Sequence, residues 1–88
     1  MENAFRDYLI KQGYKEYTPS GKPSTVYDYI YRVHAICEKE NMTWHELAKN
    51  IDLIVQKYDT GGSMDKEGEK SHRAVINALK RYREFVKN

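Results

Sequence analysis

"KSHRAVINALKRYREFVKN", residues 70–88, decides the fold. Its apolar residues Val75, Ala78, Leu79, Tyr82, Phe85 and Val86 recur at three- and four-residue spacing. That is the period of an amphipathic α-helix and not the alternation of a strand. Arg73, Asn77, Lys80, Glu84 and Lys87 fall almost diametrically opposite, with Arg81 flanking them. The spacing therefore predicts a helix from about Ser71 to Lys87, buried along one stripe. Its outer face is basic: six of these nineteen residues are Lys or Arg, against the single acid Glu84. Residues 1–69 carry a net charge of −3 and residues 70–88 a net of +5. A local anionic partner calls for such asymmetry. So does a solvated helix face, because cations near a helix C-terminus suit the macrodipole.

Outward from this helix the pattern stays helical. The preceding stretch "DTGGSMDKEGE", residues 59–69, holds three glycines and four acids without periodicity and reads as a mobile internal loop. "TWHE", Thr43–Glu46, is a capping box that opens a short helix anchored by Trp44, Leu47 and Ala48. Asn50-Ile51-Asp52 breaks it, and Asp52 is expected to cap another short helix carrying Leu53, Val55 and Tyr58 inward. Ser24 is placed to cap a longer helix that runs to about Glu40, with Val26, Tyr29, Ile30, Val33, Ile36 and Cys37 on one stripe. Ser24, Asp28, Tyr31, Arg32 and Ala35 lie opposite that stripe. "YKEYTPSGKP", residues 14–23, is a loop punctuated by Pro19, Gly21 and Pro23. The first helix is expected from about Ala4 to Gln12, with Asn3 as N-cap, Gly13 as terminator and Phe5, Tyr8 and Leu9 on one face. The whole is an all-α fold, a compact bundle of four to five helices in a single domain, residues 1–88.

Composition narrows the class. A chain of 88 residues is one domain and buries about 60–65% of its unfolded surface. No apolar run approaches the roughly 20 residues needed to span a bilayer, so no membrane partner is expected. The opening Met-Glu-Asn-Ala-Phe-Arg-Asp has no export pattern. Cys37 is alone, which excludes an internal disulfide and fits a reducing, cytoplasmic setting.

Catalysis finds little support. His34, His45 and His72 fall on three different segments, and no Ser or Cys beside them sits in a nucleophile turn. His34 and Cys37 offer two metal ligands at most, and Cys37 belongs to the apolar stripe, so neither metal nor cofactor is expected. Gly61-Gly62 lacks the strand and the Lys-Ser/Thr of a phosphate loop. The sharper candidate is the basic face. Arg73, Asn77, Lys80 and Arg81 rise along two turns toward phosphates, Asn77 reaches for a base edge, and Ser71 and His72 stand at the helix start, where anions collect. Tyr31 and Arg32 project from the polar side of the Ser24–Glu40 helix, next to Ser24 and Thr25. Eight tyrosines against two phenylalanines suit an alternative, a helical protein–protein interaction module with a tyrosine-rich surface.

Taken together, these stretches resemble the SAM-like, N-terminal core-binding domain of tyrosine recombinases (phage integrases). The resemblance rests on "FRDYLIKQG" (5–13), on "STVYDYIYRVHAI" (24–36) with Thr25 and Tyr29 in the matching places, on "NIDLIVQKY" (50–58), and on "SHRAVINALKRYREFV" (71–86). It covers nearly the whole chain as an ordered series of degenerate motifs. It departs in the long, proline-containing connection from Gly13 to Ser24 and in the acidic stretch 61–69. The resemblance implies a non-catalytic domain forming half of a clamp on double-stranded DNA, with the helices 24–40 and 71–87 toward adjacent major grooves. Thr25, Tyr31, Arg32, Lys70, Ser71, Arg73, Asn77 and Arg81 become the candidate DNA contacts. It further implies that the nucleophilic tyrosine and its Arg/His partners belong to a separate C-terminal catalytic domain of the same protein, that this chain alone is not an enzyme, and that it forms oligomers only on DNA. The chain's end within a turn of its last helix is what a domain excised from a larger protein would show.

Overall fold

Six helices and no strand make up the computed structural model, which describes all 88 residues. They are α1 (Glu2–Lys11), α2 (Thr25–Glu40), α3 (Trp44–Lys49), α4 (Ile51–Tyr58), α5 (Asp65–Gly68) and α6 (Lys70–Lys87). The all-α expectation holds, with one more helix than expected because segment 59–69 contributes α5.

α6 is the hub and touches all five others. Its expected inner face is inside: Val75, Ala78, Leu79 and Tyr82 are buried, and Phe85 and Val86 pack against the core. Ile76, outside the expected stripe, is buried as well, because α6 lies between α2 and α4 and covers more than one stripe. Around Tyr82 the rings of Phe5, Trp44 and Phe85 lie within 5.9 Å, centroid to centroid. The Tyr82 hydroxyl donates to the Trp44 carbonyl at 2.7 Å, which meets its need for a partner in the interior.

The ends of the helices follow local chemistry. α1 starts two residues earlier than expected, at Glu2 after Met1 rather than after an Asn3 cap, and Gly13 (φ 95°) ends it in the left-handed region as expected. Ser24 takes the N-cap position of α2 without a hydroxyl bond. Its amide instead donates to the Glu16 carbonyl, while the Val26 amide donates to Lys15, so the 14–23 connection caps α2 with its backbone. That connection is a small hairpin closed by a Tyr17–Pro23 bridge and by the Tyr27 hydroxyl on Glu16 at 3.0 Å. α2 ends at Asn41 (φ 55°), where Met42 N–H reaches Cys37 and Asn41 N–H reaches Glu38, a Schellman closure. The Thr43–Glu46 capping box is present with both bonds, at 2.9 and 3.1 Å.

Three expectations fail here. Asn50, not Asp52, stands before α4, so the inward set is Ile51, Ile54, Val55 and Tyr58, and Leu53 points out with 66% of its surface exposed. Ile51, Ile54, Val55 and Tyr58 share one face at i, i+3, i+4 and i+7 spacing, whereas Leu53 is two residues, about 200°, from Val55 and falls on the opposite face. Segment 59–69, read as a mobile loop, is a packed connection: Met64 contacts the core, Gly68 is buried, and α5 packs on α4 and α6. Finally, Ser71 (φ 55°, ψ 51°), His72 (φ 56°, ψ 44°) and Arg73 (φ 68°, ψ 18°) are left-handed, so α6 becomes right-handed only from Ala74. Ser71 and His72, expected at the helix start, therefore stand in a left-handed turn before it.

Candidate nucleic-acid interface

Two ion pairs, one aromatic contact and one hydrogen bond fix how α2 and α6 run. The Glu67 carboxylate takes Lys39, near the end of α2, at 3.2 Å and Lys70, at the start of α6, at 3.0 Å. At the other end, Tyr14 stacks edge-on against Tyr29 of α2, with centroids 5.5 Å apart, and its hydroxyl accepts from Arg81 of α6 at 3.4 Å. The helices are therefore antiparallel, with a seam along them. By helical spacing Arg32 and Asn77 fall between its two ends.

The candidate contacts divide by where this places them. Thr25 is the half-buried first residue of α2. Tyr31 stands outward, 64% exposed, with the Arg32 guanidinium 6.0 Å from its ring centroid. Arg32 also donates to Asp28 at 3.3 Å. Asn77 is half-buried and Ser71 exposed, and neither side chain makes a hydrogen bond. Arg81 is held twice, by Tyr14 and by Glu84 at 2.8 Å, and its Nε is buried without a partner. Lys70 belongs to the Glu67 pair, while Arg73 leans away from the seam toward α4. Hence Lys70 and Arg81 are tied to the ends of the seam by contacts, Arg32 and Asn77 fall between those ends by helical spacing, and Arg73 lies on the neighbouring flank of α6.

That flank is the part sequence reasoning missed. Asp59, just after α4, meets Arg73 through Oδ1 at 3.5 Å and Lys80 through Oδ2 at 3.2 Å, and the Thr60 hydroxyl accepts from Arg73 at 3.5 Å. Further along, Lys87 pairs with Asp52 at 2.7 Å. Of the six cations of α6, only Arg83 has no carboxylate partner. Lys39 was not a candidate, and neither Asp59 nor Glu67 was seen as part of a site. No single-helix pattern signals them, because each pairing joins separate elements.

The electrostatics follow from these contacts. The Asp59 carboxyl is held below its usual value, first by the Thr60 amide, which donates to it at 2.8 Å, and then by Lys80. Glu67 is held low by Lys70 and Lys39. Elsewhere, burial pushes the Cys37 thiol up to about 11, which keeps it protonated and unreactive at neutral pH. No group of three or more His, Cys, Asp or Glu is placed to hold a metal ion. No helix is long and apolar enough to cross a membrane. The chain matches no protein-family model, no curated protein and no solved structure.

Proposed function

We propose that this chain is a duplex-DNA-binding helical module, of the core-binding kind its sequence resembles, and that it lies on DNA along the α2–α6 seam. The observation that carries this reading is the antiparallel juxtaposition of the two helices. It ties Lys39, Lys70 and Arg81 to the two ends of one seam, with Arg73 and Lys80 on the adjoining flank, and helical spacing puts Arg32 and Asn77 between those ends. Exposed ion pairs are each worth only about 0–1 kcal/mol, so phosphates can exchange for the carboxylates now held there. Phosphate contacts would set register, and Asn77, which has no hydrogen-bond partner in the fold, is the side chain suited to a base edge. In this reading the strand-cleaving chemistry belongs to another domain of the same protein, and the present chain supplies grip and position.

The test is an amide titration with a mixed-sequence duplex of about 20 base pairs at low and at physiological salt, suited to the roughly 10⁻⁴–10⁻⁶ M affinity of non-specific contacts. Shifts confined to residues 24–39 and 70–81, fading with salt, are expected. No shifts at low salt would overturn the reading. A second reading, a protein-interaction module, draws on the exposure of Tyr31 (64%) and Leu53 (66%). It predicts a partner whose binding changes little with salt, whereas phosphate contacts follow a log–log slope of about −0.9 per phosphate.

A further inference from the structure

The two carboxylates in the connection between α4 and α6 are not ordinary surface partners. A surface ion pair normally joins one cation to one anion. Glu67 instead joins Lys39 of α2 to Lys70 of α6, at 3.2 and 3.0 Å. Asp59 joins Arg73 and Lys80, two turns apart on α6, at 3.5 and 3.2 Å, with the Thr60 hydroxyl on the same guanidinium. Each anion is thus bracketed by two cations, and each cluster keeps a net charge of +1 with its carboxylate in place. A tetrahedral oxyanion presents several acceptor oxygens to such a bracket, where a planar carboxylate presents two.

We propose that Asp59 and Glu67 occupy two phosphate subsites, one formed by Arg73, Lys80 and Thr60 and the other by Lys39 and Lys70, and that segment 59–69 competes with the ligand for both. The proposal rests on the duplex-binding reading in taking those phosphates to be DNA's. The competitor can leave without stranding a charge, since the Asp59 and Glu67 side chains are 33% and 30% exposed and reach water by a change of rotamer. Both carboxyls are held ionised by their partners, so they compete at neutral pH. The acidity of the segment then acts at two defined points and sets how tightly an otherwise ready surface binds. Asp65 and Glu69 belong to the same segment and carry the same charge, yet they have no cationic partner. They provide the comparison that separates a local effect from a general one.

The experiment measures affinity for a fluorescein-labelled 20-base-pair duplex at low salt with the whole chain and its Asp59→Asn, Glu67→Gln, Asp65→Asn and Glu69→Gln variants. Releasing two exposed pairs should tighten binding by about two- to thirtyfold for Asp59→Asn and for Glu67→Gln. Asp65→Asn and Glu69→Gln should change it by less than about twofold. Equal tightening by all four, or no tightening by the first two, overturns the proposal. Asp59 also accepts from the Thr60 amide, so if its variant unfolds, Glu67→Gln, whose carboxylate touches only the two lysines, decides alone. A parallel amide titration uses inorganic pyrophosphate. If no variant binds the duplex, the DNA reading falls, and pyrophosphate shifts at residues 39, 70, 73 and 80 that grow in the two variants still uphold the subsites. Absence of those shifts sinks them too.

Discussion

Replacing Ser71 and His72 by glycine tests the most unusual backbone in the molecule by the sign of its effect. Both residues are left-handed, at φ 55° and 56°, and both side chains are exposed without a hydrogen bond, so truncation removes little else. An L-residue pays about 1–2 kcal/mol to be left-handed, a cost glycine does not bear. Glycine loses about 0.5–1 kcal/mol more chain entropy on folding. The difference is a net stabilisation of about 0.5–1 kcal/mol at each site. The double variant should therefore gain about 1–2 kcal/mol, with a rise of about 4–8 °C in Tm for each kcal/mol in a domain of this size. In a right-handed first turn the same changes would destabilise by about 0.5 kcal/mol apiece through helix propensity. Urea denaturation of the two single variants and the double variant, at unchanged m, distinguishes the cases. A lower midpoint in the double variant would refute the left-handed turn.

Three further outcomes follow from the packing. Leu53→Ala should change stability by less than about 0.5 kcal/mol, whereas Ile54→Ala should cost about 2–5 kcal/mol, and equal losses would return Leu53 to the core. Gly68→Ala should cost about 1–3 kcal/mol, because a Cβ there collides with the Tyr58 backbone carbonyl, and a neutral result by denaturation would mean α5 is not seated as described. Glu40→Ala strands the buried Tyr58 hydroxyl, now 2.7 Å from the carboxylate, and should cost about 1–3 kcal/mol. Burial alone would raise the Glu40 carboxyl, but its bonds from Lys57 and Tyr58 outweigh that and leave it low. Its contribution is therefore complete above its unfolded value of 4.5 and is lost as pH falls through the lower folded value, so the gap between wild type and variant should narrow in acid.

The parts of the fold that were legible in the sequence are those governed by one helix at a time. The α2 stripe from Val26 to Cys37 and the α6 stripe from Val75 to Val86 repeat often enough for the phase to be certain, and both are inside. The Thr43–Glu46 box is a local exchange of two hydrogen bonds and appears as read. α4 failed because taking Asp52 for the cap leaves Ile51 outside the helix, and without it so short a segment does not show the i, i+3, i+4, i+7 set that includes Ile54 and excludes Leu53. Segment 59–69 failed for another reason. Glycine reads as freedom when nothing touches it, but Gly62 and Gly68 lie against the backbone carbonyls of residues 56–58, where no side chain fits. Such contacts exist only once the chain has folded back, and no periodicity encodes them.

The candidate site shows the same division with consequences for function. The sequence places a surplus of acids before residue 70 and a surplus of cations after it, which suggests a strongly positive last helix. In the fold Asp52, Asp59 and Glu67 from the acidic part come to rest within 3.5 Å of Lys87, Arg73, Lys80 and Lys70. Asp59 and Glu67 each cancel one charge of the two cations they join, so each cluster keeps +1 and the field of α6 is reduced rather than abolished, with a Debye length of about 8 Å limiting its reach at physiological salt. The cations left without carboxylates are Lys11, Lys15, Lys22, Lys49, Lys66 and Arg83, and the first three lie between the end of α1 and the hairpin that caps α2. On the duplex-binding reading, long-range attraction would come from these free cations and from the +1 left on each cluster, while the full charge of α6 would act only at contact, after its carboxylates have been exchanged. A surface of that kind would grade capture into grip: the uncompensated charge would bring a duplex in, and the bracketed cations would hold it fully only where phosphates displace Asp59 and Glu67.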